Sequence, residues 1–208
     1  MFVVVSQKTT AMAYQPPSPN IALLGSITNL LANATAVNHA FVKGGKAVFV
    51  LAGGALYYDS LLDLDSDGSK FAAADPTGQS GTSLTQPDGS PVDADTVPYI
   101  VLPGHFYQQF NIRMGDIAAV MFNGLLEFAV FADVGPHNKI GEGSIALHRS
   151  LGHEVVINGV FHDDAIDENV VTIVFPGSGN GTPQTPDAIR TQGGVLLQAL
   201  GGSLANNQ

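Results

Sequence analysis

The sequence contains no cysteine and no tryptophan, and only 12% of its 208 residues are charged. Without cysteine, a disulfide framework, a thiolate metal site and a thiolate nucleophile are all excluded. No apolar run approaches the roughly 20 residues that a transmembrane helix needs, so no membrane span is expected. Residues 1–8 lack a basic region, and their apolar run is too short for a signal peptide.

Basic residues are scarce as well. Eight lysines and arginines stand against 18 aspartates and glutamates, which gives a formal net charge of −10. A surface of this sign repels phosphate groups, so nucleic acid is not expected as a partner. The same charge would attract a polycation by long-range steering. The oligomeric state is left open.

The chain is instead rich in hydrophobic residues (45%), with 24 glycines and 12 prolines. Its apolar runs are short and interrupted, a pattern typical of many strands joined by turns. The length fits one domain. We therefore predict a mainly β, single-domain, β-barrel-like fold with a few short helices, and the double-psi barrel is one form it could take. Residues 1–45 are predicted to form an N-terminal arm and helical segment, and residues 46–208 the main domain.

The clearest local signal is a hairpin. Two apolar runs, at 117–122 and 125–132, are joined by Asn123-Gly124, which is typical of a type I′ turn. Both runs are apolar on nearly every residue, so the hairpin is predicted to be buried on both faces. Its second strand delivers Asp133 at the carboxyl end.

Weaker patterns fill in the rest of the chain. Residues 65–91 are rich in Asp, Gly, Ser, Thr and Pro and predict a long surface loop of the kind that borders a site. Further strands are predicted at 46–51, 56–64, 97–102, 155–161 and 170–175, and helices at 144–151 and 187–200.

Asp133 and Glu142 lie on either side of a Gly/Pro loop in this charge-poor sequence. Acid/base hydrolysis of a glycosidic bond requires two such carboxyl groups. From the spacing alone, a solvated turn aspartate and a helix-start glutamate are the commoner explanation. A glutamate at a helix start also has its charged form stabilised, which is unfavourable for a general acid.

A second acidic group is the segment 63–68, in which Asp63, Asp65 and Asp67 alternate and Gly68 follows. An EF-hand is excluded because its twelfth position, residue 74, is alanine. An acidic subsite for amines, a different calcium site and a plain Asx turn all stay open. The six histidines show no metal-ligand spacing, and no metal or cofactor is expected. The glycine-rich segment 177–181 lacks the Lys-Ser/Thr ending of a phosphate loop and is interpreted as a turn.

Five motifs, in order, are similar to those of the fungal-type chitosanases of glycoside hydrolase family 75. They are Asp63-Leu-Asp-Ser-Asp-Gly68, Val92-Asp-Ala-Asp-Thr-Val-Pro-Tyr-Ile-Val-Leu-Pro103, Met114-Gly-Asp-Ile-Ala-Ala-Val120, the stretch 133–147 with its Gly-Pro and Gly-Glu-x-Ser elements, and Val174-Phe-Pro-Gly-Ser-Gly179. The resemblance covers roughly residues 46–180, so 46–208 is interpreted as a chitosanase-like catalytic domain.

The resemblance implies an endo-acting glycosidase that cleaves β-1,4 linkages of chitosan, or of a related amino-sugar polysaccharide, with inversion. By motif position, Asp133 would be the general base and Glu142 the general acid. The substrate implies an extracellular protein. Asp63, Asp65, Tyr99 and His105 would line the cleft, where carboxylates could pair with glucosamine ammonium groups.

Two alternatives stay open. A non-catalytic carbohydrate-binding or structural domain, such as a component of a phage particle or secretion system, would keep the fold without turnover. The missing tryptophan and signal peptide favour it, whereas the presence of both carboxyl groups favours the enzyme. Hydrolysis of another amino-sugar polymer is the second alternative. Without tryptophan, sugar stacking would fall to Tyr57, Tyr58, Tyr99, Phe106 and Tyr107.

Overall fold

The structure, a computed structural model, describes residues 30–32, 34–37, 45–51 and 53–201. Most of the predicted N-terminal arm and helical segment lies outside these ranges, so the boundary near residue 45 stays a prediction. No helix within the described ranges is both long and apolar enough to cross a membrane.

The described residues form ten strands and three short α-helices. The strands are β1 (Thr35–Ala36), β2 (Gly45–Val50), β3 (Leu56–Asp65), β4 (Tyr99–Pro103), β5 (Ile117–Phe122), β6 (Leu125–Gly135), β7 (Glu142–Ser144), β8 (Val156–Ile157), β9 (Val160–Phe161) and β10 (Ile166–Phe175). The helices are α1 (Gly104–Gln109), α2 (Ile145–Ser150) and α3 (Pro186–Ala199).

Six of these strands close into a barrel. Their order is β3, β10, β5, β6, β4 and β7, and β7 pairs back onto β3. The β3–β7 and β4–β6 pairs are parallel and the other four pairs are antiparallel. Strands β2 and β1 extend the sheet from β3, and β8 and β9 form a separate hairpin. The mainly β, barrel-like single domain is confirmed, whereas the double-psi type stays a prediction.

The predicted hairpin is present as β5 and β6, with Phe122 opposite Leu125. Asn123 and Gly124 have φ angles of 48° and 79°, the left-handed backbone that a type I′ turn requires. Side chains on both faces of these strands are buried, as the unbroken apolar runs predicted. Strand β6 continues to Gly135, three residues beyond the predicted end, so Asp133 lies within the strand.

Alternate side chains of the barrel strands enter two apolar clusters. Tyr57 belongs to one cluster and Tyr58 to the other, and the two clusters lie on opposite faces of the sheet. Helix α3 covers the first cluster with Ile189 and Leu197. A Cβ built on Gly193 would lie 2.2 Å from a ring carbon of Phe128, so glycine lets α3 approach β6 closely.

Helix α2 begins as predicted, but Glu142 is not at its start. The hydroxyl of Ser144 caps the helix by accepting a hydrogen bond from the backbone N–H of Leu147. Glu142 instead belongs to β7, where it pairs with Asp63 on one side and Val101 on the other. The expected stabilisation of its charge by the helix is therefore wrong, because pairing on both sides draws residues 142–144 into the sheet.

Candidate active site

A cavity of about 350 Å³ opens where β3 and β6 end and β7 begins. Five carboxyl groups line it and Lys139 is the only basic side chain among the described lining residues. The carboxyl groups belong to Asp65, Asp67, Asp75, Asp133 and Glu142. The cavity is therefore strongly acidic, and we call it the acidic cleft.

Strand pairing sets the positions of Asp133 and Glu142. Strand β4 lies between β6 and β7, and its residue Val101 pairs with Asp133 on one side and with Glu142 on the other. Since neighbouring strands lie about 4.8 Å apart, the two backbones are separated by roughly 10 Å. The side chains thus approach the cleft from two strands that do not touch each other at this level.

Three donors fix the orientation of Asp133. Its Oδ1 accepts hydrogen bonds from the backbone N–H of Ser83 at 2.9 Å, the Ser83 hydroxyl at 2.5 Å and the backbone N–H of Val134 at 2.8 Å. The side chain is 7% exposed. Ser83 lies 50 residues away in the long loop, which borders the site as predicted, although no motif singled out this serine.

The Asp65 side chain is held by the backbone of Asp67 and by the Tyr99 hydroxyl. Its Oδ1 accepts from the backbone N–H of Asp67 at 2.8 Å, which is an Asx turn, and lies 3.1 Å from the hydroxyl of Tyr99. That hydroxyl also lies 2.9 Å from the carbonyl oxygen of Asp67. Tyr99 is fully buried, so it supports the Asp-rich turn rather than lining the cavity.

Burial raises the pKa values of two aspartates in this turn. It raises the pKa of Asp65 to about 7, opposed by the backbone hydrogen bond from Asp67 and reinforced by the neighbouring negative charges. Burial likewise raises the pKa of Asp67 to about 6, opposed by the backbone N–H of Gln79 and reinforced by the charge of Asp133. Oxygens of Asp65, Asp67 and Asp133 all lie within 4.8 Å of one another, so these are the described groups that could share a proton or a cation.

Lys139 bridges two carboxylates at the cleft. Its Nζ lies 2.6 Å from Oδ2 of Asp63 and 2.5 Å from Oε1 of Glu142. The other oxygen of Glu142 approaches Gly135, where a Cβ would lie only 2.6 Å away, so any larger residue here would displace the Glu142 carboxyl group. Neither Lys139 nor Gly135 was predicted as a site residue.

The remaining predicted residue, His105, is exposed on α1 and is not among the lining residues. Its ring stacks on that of His137 with centroids 4.6 Å apart. His137 belongs to the loop between Asp133 and Glu142, so His105 lies beside this loop rather than within the cavity.

Most of the aromatic rings that were expected to stack on a sugar are buried. Tyr57, Tyr58, Tyr99 and Phe106 are each at most 7% exposed, and Tyr107 packs against the ring of Phe131. None of the described residues lining the cleft is aromatic. The expectation that these rings serve a sugar is therefore wrong for the buried four. A ligand here would be bound by charge and hydrogen bonds.

Comparisons with known proteins show which family the chain resembles. The family described as fungal chitosanase of glycosyl hydrolase group 75 matches residues 62–195, which include both Asp133 and Glu142. Endo-chitosanase B of Aspergillus oryzae is 26% identical over 166 residues, covering 67% of this chain and 67% of the relative.

Proposed function

Because the chain belongs to glycosyl hydrolase group 75 and is therefore a glycosidase, we propose that it is an endo-acting chitosanase that cleaves β-1,4 linkages with inversion. The observation that carries the proposal is the placement of Asp133 and Glu142 on either side of Val101, facing one acidic cleft. We assign the catalytic domain to residues 46–208. A polymeric substrate fits an extracellular setting.

The spacing of the two strands that carry the carboxyl groups supports inversion. Inverting glycosidases keep their carboxyl groups roughly 6.5–9.5 Å apart to leave room for a water molecule, whereas retaining enzymes keep them at about 5–5.5 Å. Two strand spacings between the backbones of Asp133 and Glu142, roughly 10 Å, leave room for the wider arrangement.

In the proposed reaction, Glu142 gives its proton to the oxygen that leaves the anomeric carbon. Asp133 takes a proton from water on the opposite face of the sugar. The water oxygen bonds to the anomeric carbon as the glycosidic C–O bond breaks, and two shorter chains result. Solvent then removes the proton from Asp133 and restores the one on Glu142. The hydrogen bonds from Ser83 and Val134 hold the base in place.

The composition of the cleft supports an amine-bearing substrate. Among the described residues, several carboxyl groups and no aromatic ring line it, so a glucosamine unit with an ammonium group gains charge-assisted hydrogen bonds there. A neutral N-acetyl group lacks the charge. We therefore propose deacetylated chitin as the substrate in preference to chitin.

The test is the release of reducing ends from chitosan by the wild type, Asp133→Asn and Glu142→Gln. We expect each substitution to reduce kcat by about 10²–10⁴-fold, the usual contribution of general acid/base groups. Asp187→Asn makes the same change of charge at a side chain that is 96% exposed, and it should match the wild type.

Substrates and binding separate the alternatives. Similar rates for wild type and Glu142→Gln would contradict the assignment of the acid. Binding of chitosan without any release of sugar would instead favour the non-catalytic carbohydrate-binding domain. Equal turnover of chitin or peptidoglycan would indicate another amino-sugar substrate.

A further inference from the structure

Lys139 is unusual in its setting. It is the only basic side chain among the described residues that line the acidic cleft, yet it does not face the proposed base. It lies between Asp63 and Glu142, and all three side chains are mostly shielded, with exposures of 16%, 18% and 13%.

The contacts of Lys139 are those of a firmly held ammonium. Burial by itself would lower the pKa of Lys139, but the hydrogen bonds and charges of Asp63 and Glu142 outweigh burial, and the pKa is raised. Lysine is also a flexible point charge on a four-carbon stem, so it can be exchanged without moving the backbone. Its neighbours in the loop, residues 136–138, are exposed.

This ion pair conflicts with the proposed role of Glu142. A general acid must present its proton to the leaving oxygen when the glycosidic bond breaks, whereas Oε1 of Glu142 is occupied by the Lys139 ammonium at 2.5 Å. Lys139 therefore has to leave Glu142 before the reaction. Its departure frees a position beside Asp63 that suits another ammonium.

We propose that Lys139 is a specificity-determining residue that holds the place of a substrate ammonium, and that a glucosamine unit displaces it from Asp63 and Glu142. The arriving ammonium takes over the contact with Asp63. Glu142 loses its lysine and becomes free to act on the leaving oxygen. A neutral N-acetylglucosamine unit brings no charge to exchange, so it leaves Lys139 in place against Glu142.

This inference rests on the proposed function, but it makes a separate prediction about binding. If Lys139 competes with the substrate amine, its removal must strengthen the binding of amine-bearing ligands. If Lys139 only holds Glu142 in position, its removal lowers kcat and leaves binding unchanged. If it contacts the sugar directly, its removal weakens binding.

The experiment is calorimetry in the Asp133→Asn background, with a fully deacetylated chitosan hexamer and its fully N-acetylated counterpart. Adding Lys139→Met should tighten binding of the deacetylated hexamer by at least about threefold. In this variant the carboxylates of Asp63 and Glu142 are available to the substrate ammonium without first having to lose lysine. The N-acetylated hexamer should bind equally to both proteins. Equal or weaker binding of the deacetylated hexamer would overturn the proposal.

Two variants serve as controls. Lys139→Arg keeps a resident cation and should bind the deacetylated hexamer no more tightly than the parent. Lys70→Met removes the same charge outside the cleft, where the ammonium lies 4.9 Å from the ring centre of Phe71, and should leave affinity unchanged. An equal gain in affinity in Lys70→Met would show that the effect comes from net charge and would contradict the proposal.

A spectroscopic readout avoids dependence on the folding of Lys139→Met. In ¹⁵N-labelled Asp133→Asn protein, the Lys139 ammonium should give a signal protected from exchange, absent in Lys139→Arg. The deacetylated hexamer should remove this protection and the N-acetylated hexamer should not. Persistent protection with the deacetylated hexamer bound would contradict displacement. Wild-type release of sugar from chitosan is measured separately, so failure of the proposed function is distinguishable from failure of this inference.

Discussion

At the scale of single residues, Asp65 occupies a position where ionisation is unfavourable. Burial raises its pKa from the ordinary value of 3.8 to about 7, and other carboxylates nearby add to this. A raised carboxyl pKa means that the folded protein holds this proton at a pH where the unfolded chain has lost it. The contribution of Asp65 to stability therefore decreases as the pH rises from about 4 to about 7.

Asp65→Asn should remove this loss of stability. Asparagine is neutral at every pH, so the variant should be more stable than the wild type above about pH 7, by about 1–3 kcal/mol, and the difference should vanish near pH 4. Urea unfolding across this range measures the effect. Asp187→Asn, at an exposed carboxylate, should show no such pH-dependent gain. A constant difference between wild type and Asp65→Asn at all pH values would contradict the buried-charge explanation.

At the scale of single residues, three of the residues predicted from motifs, Asp65, Asp133 and Glu142, line one cleft, and their roles there stay predictions. Tyr99 also belongs to a motif but is fully buried, and Asp63 is not among the lining residues. Lys139 and Ser83 were not found, because their contacts depend on how two loops fold back onto the strands. A lysine in a turn and a serine in a Ser/Thr-rich loop carry no local sign of such a role.

At the scale of elements, the glycine-rich segment 177–181 is held by an internal carboxylate. Asp116, which is fully buried, accepts hydrogen bonds from the backbone N–H groups of Gly177 at 2.9 Å and Gly179 at 2.7 Å. A third comes from the N–H of Arg113 at 2.8 Å. Two backbone N–H groups of this segment are thus used to tie the loop to the start of β5.

Asp116→Ala should destabilise the fold by about 2–4 kcal/mol, because three backbone donors lose a charged acceptor. Asp116→Asn keeps one acceptor oxygen and should lie between Asp116→Ala and the wild type. Chemical denaturation gives both values. A loss below about 0.5 kcal/mol in Asp116→Ala would show that solvent replaces the carboxylate and that the loop is not anchored by it.

Elements with a strong local pattern were predicted well. The Asn123-Gly124 hairpin and the helix capped by Ser144 are both present. Residues 142–144, which form β7, were interpreted as leading into that helix. Three residues without alternating polar and apolar side chains give no strand signal. Its conformation comes from pairing with β3 and β4, which are far away in sequence.

At the scale of the whole molecule, β7 both closes the barrel and assembles the site. It pairs with Asp63 of β3 on one side and Val101 of β4 on the other, and so places Glu142 two strands from Asp133. The number of short apolar runs was enough to predict a mainly β barrel. The order of its strands was not predictable, because five of the six closing contacts join strands that are not consecutive in sequence.

The anomeric form of the first product tests the central claim most directly. Chitosan should be hydrolysed by the wild type in an NMR tube, and spectra recorded before mutarotation mixes the anomers. With Asp133 and Glu142 acting across two strand spacings, new reducing ends should appear first as the α-anomer. A β-anomer appearing first would contradict inversion and indicate a retaining pair, and no new reducing ends would contradict the chitosanase proposal itself.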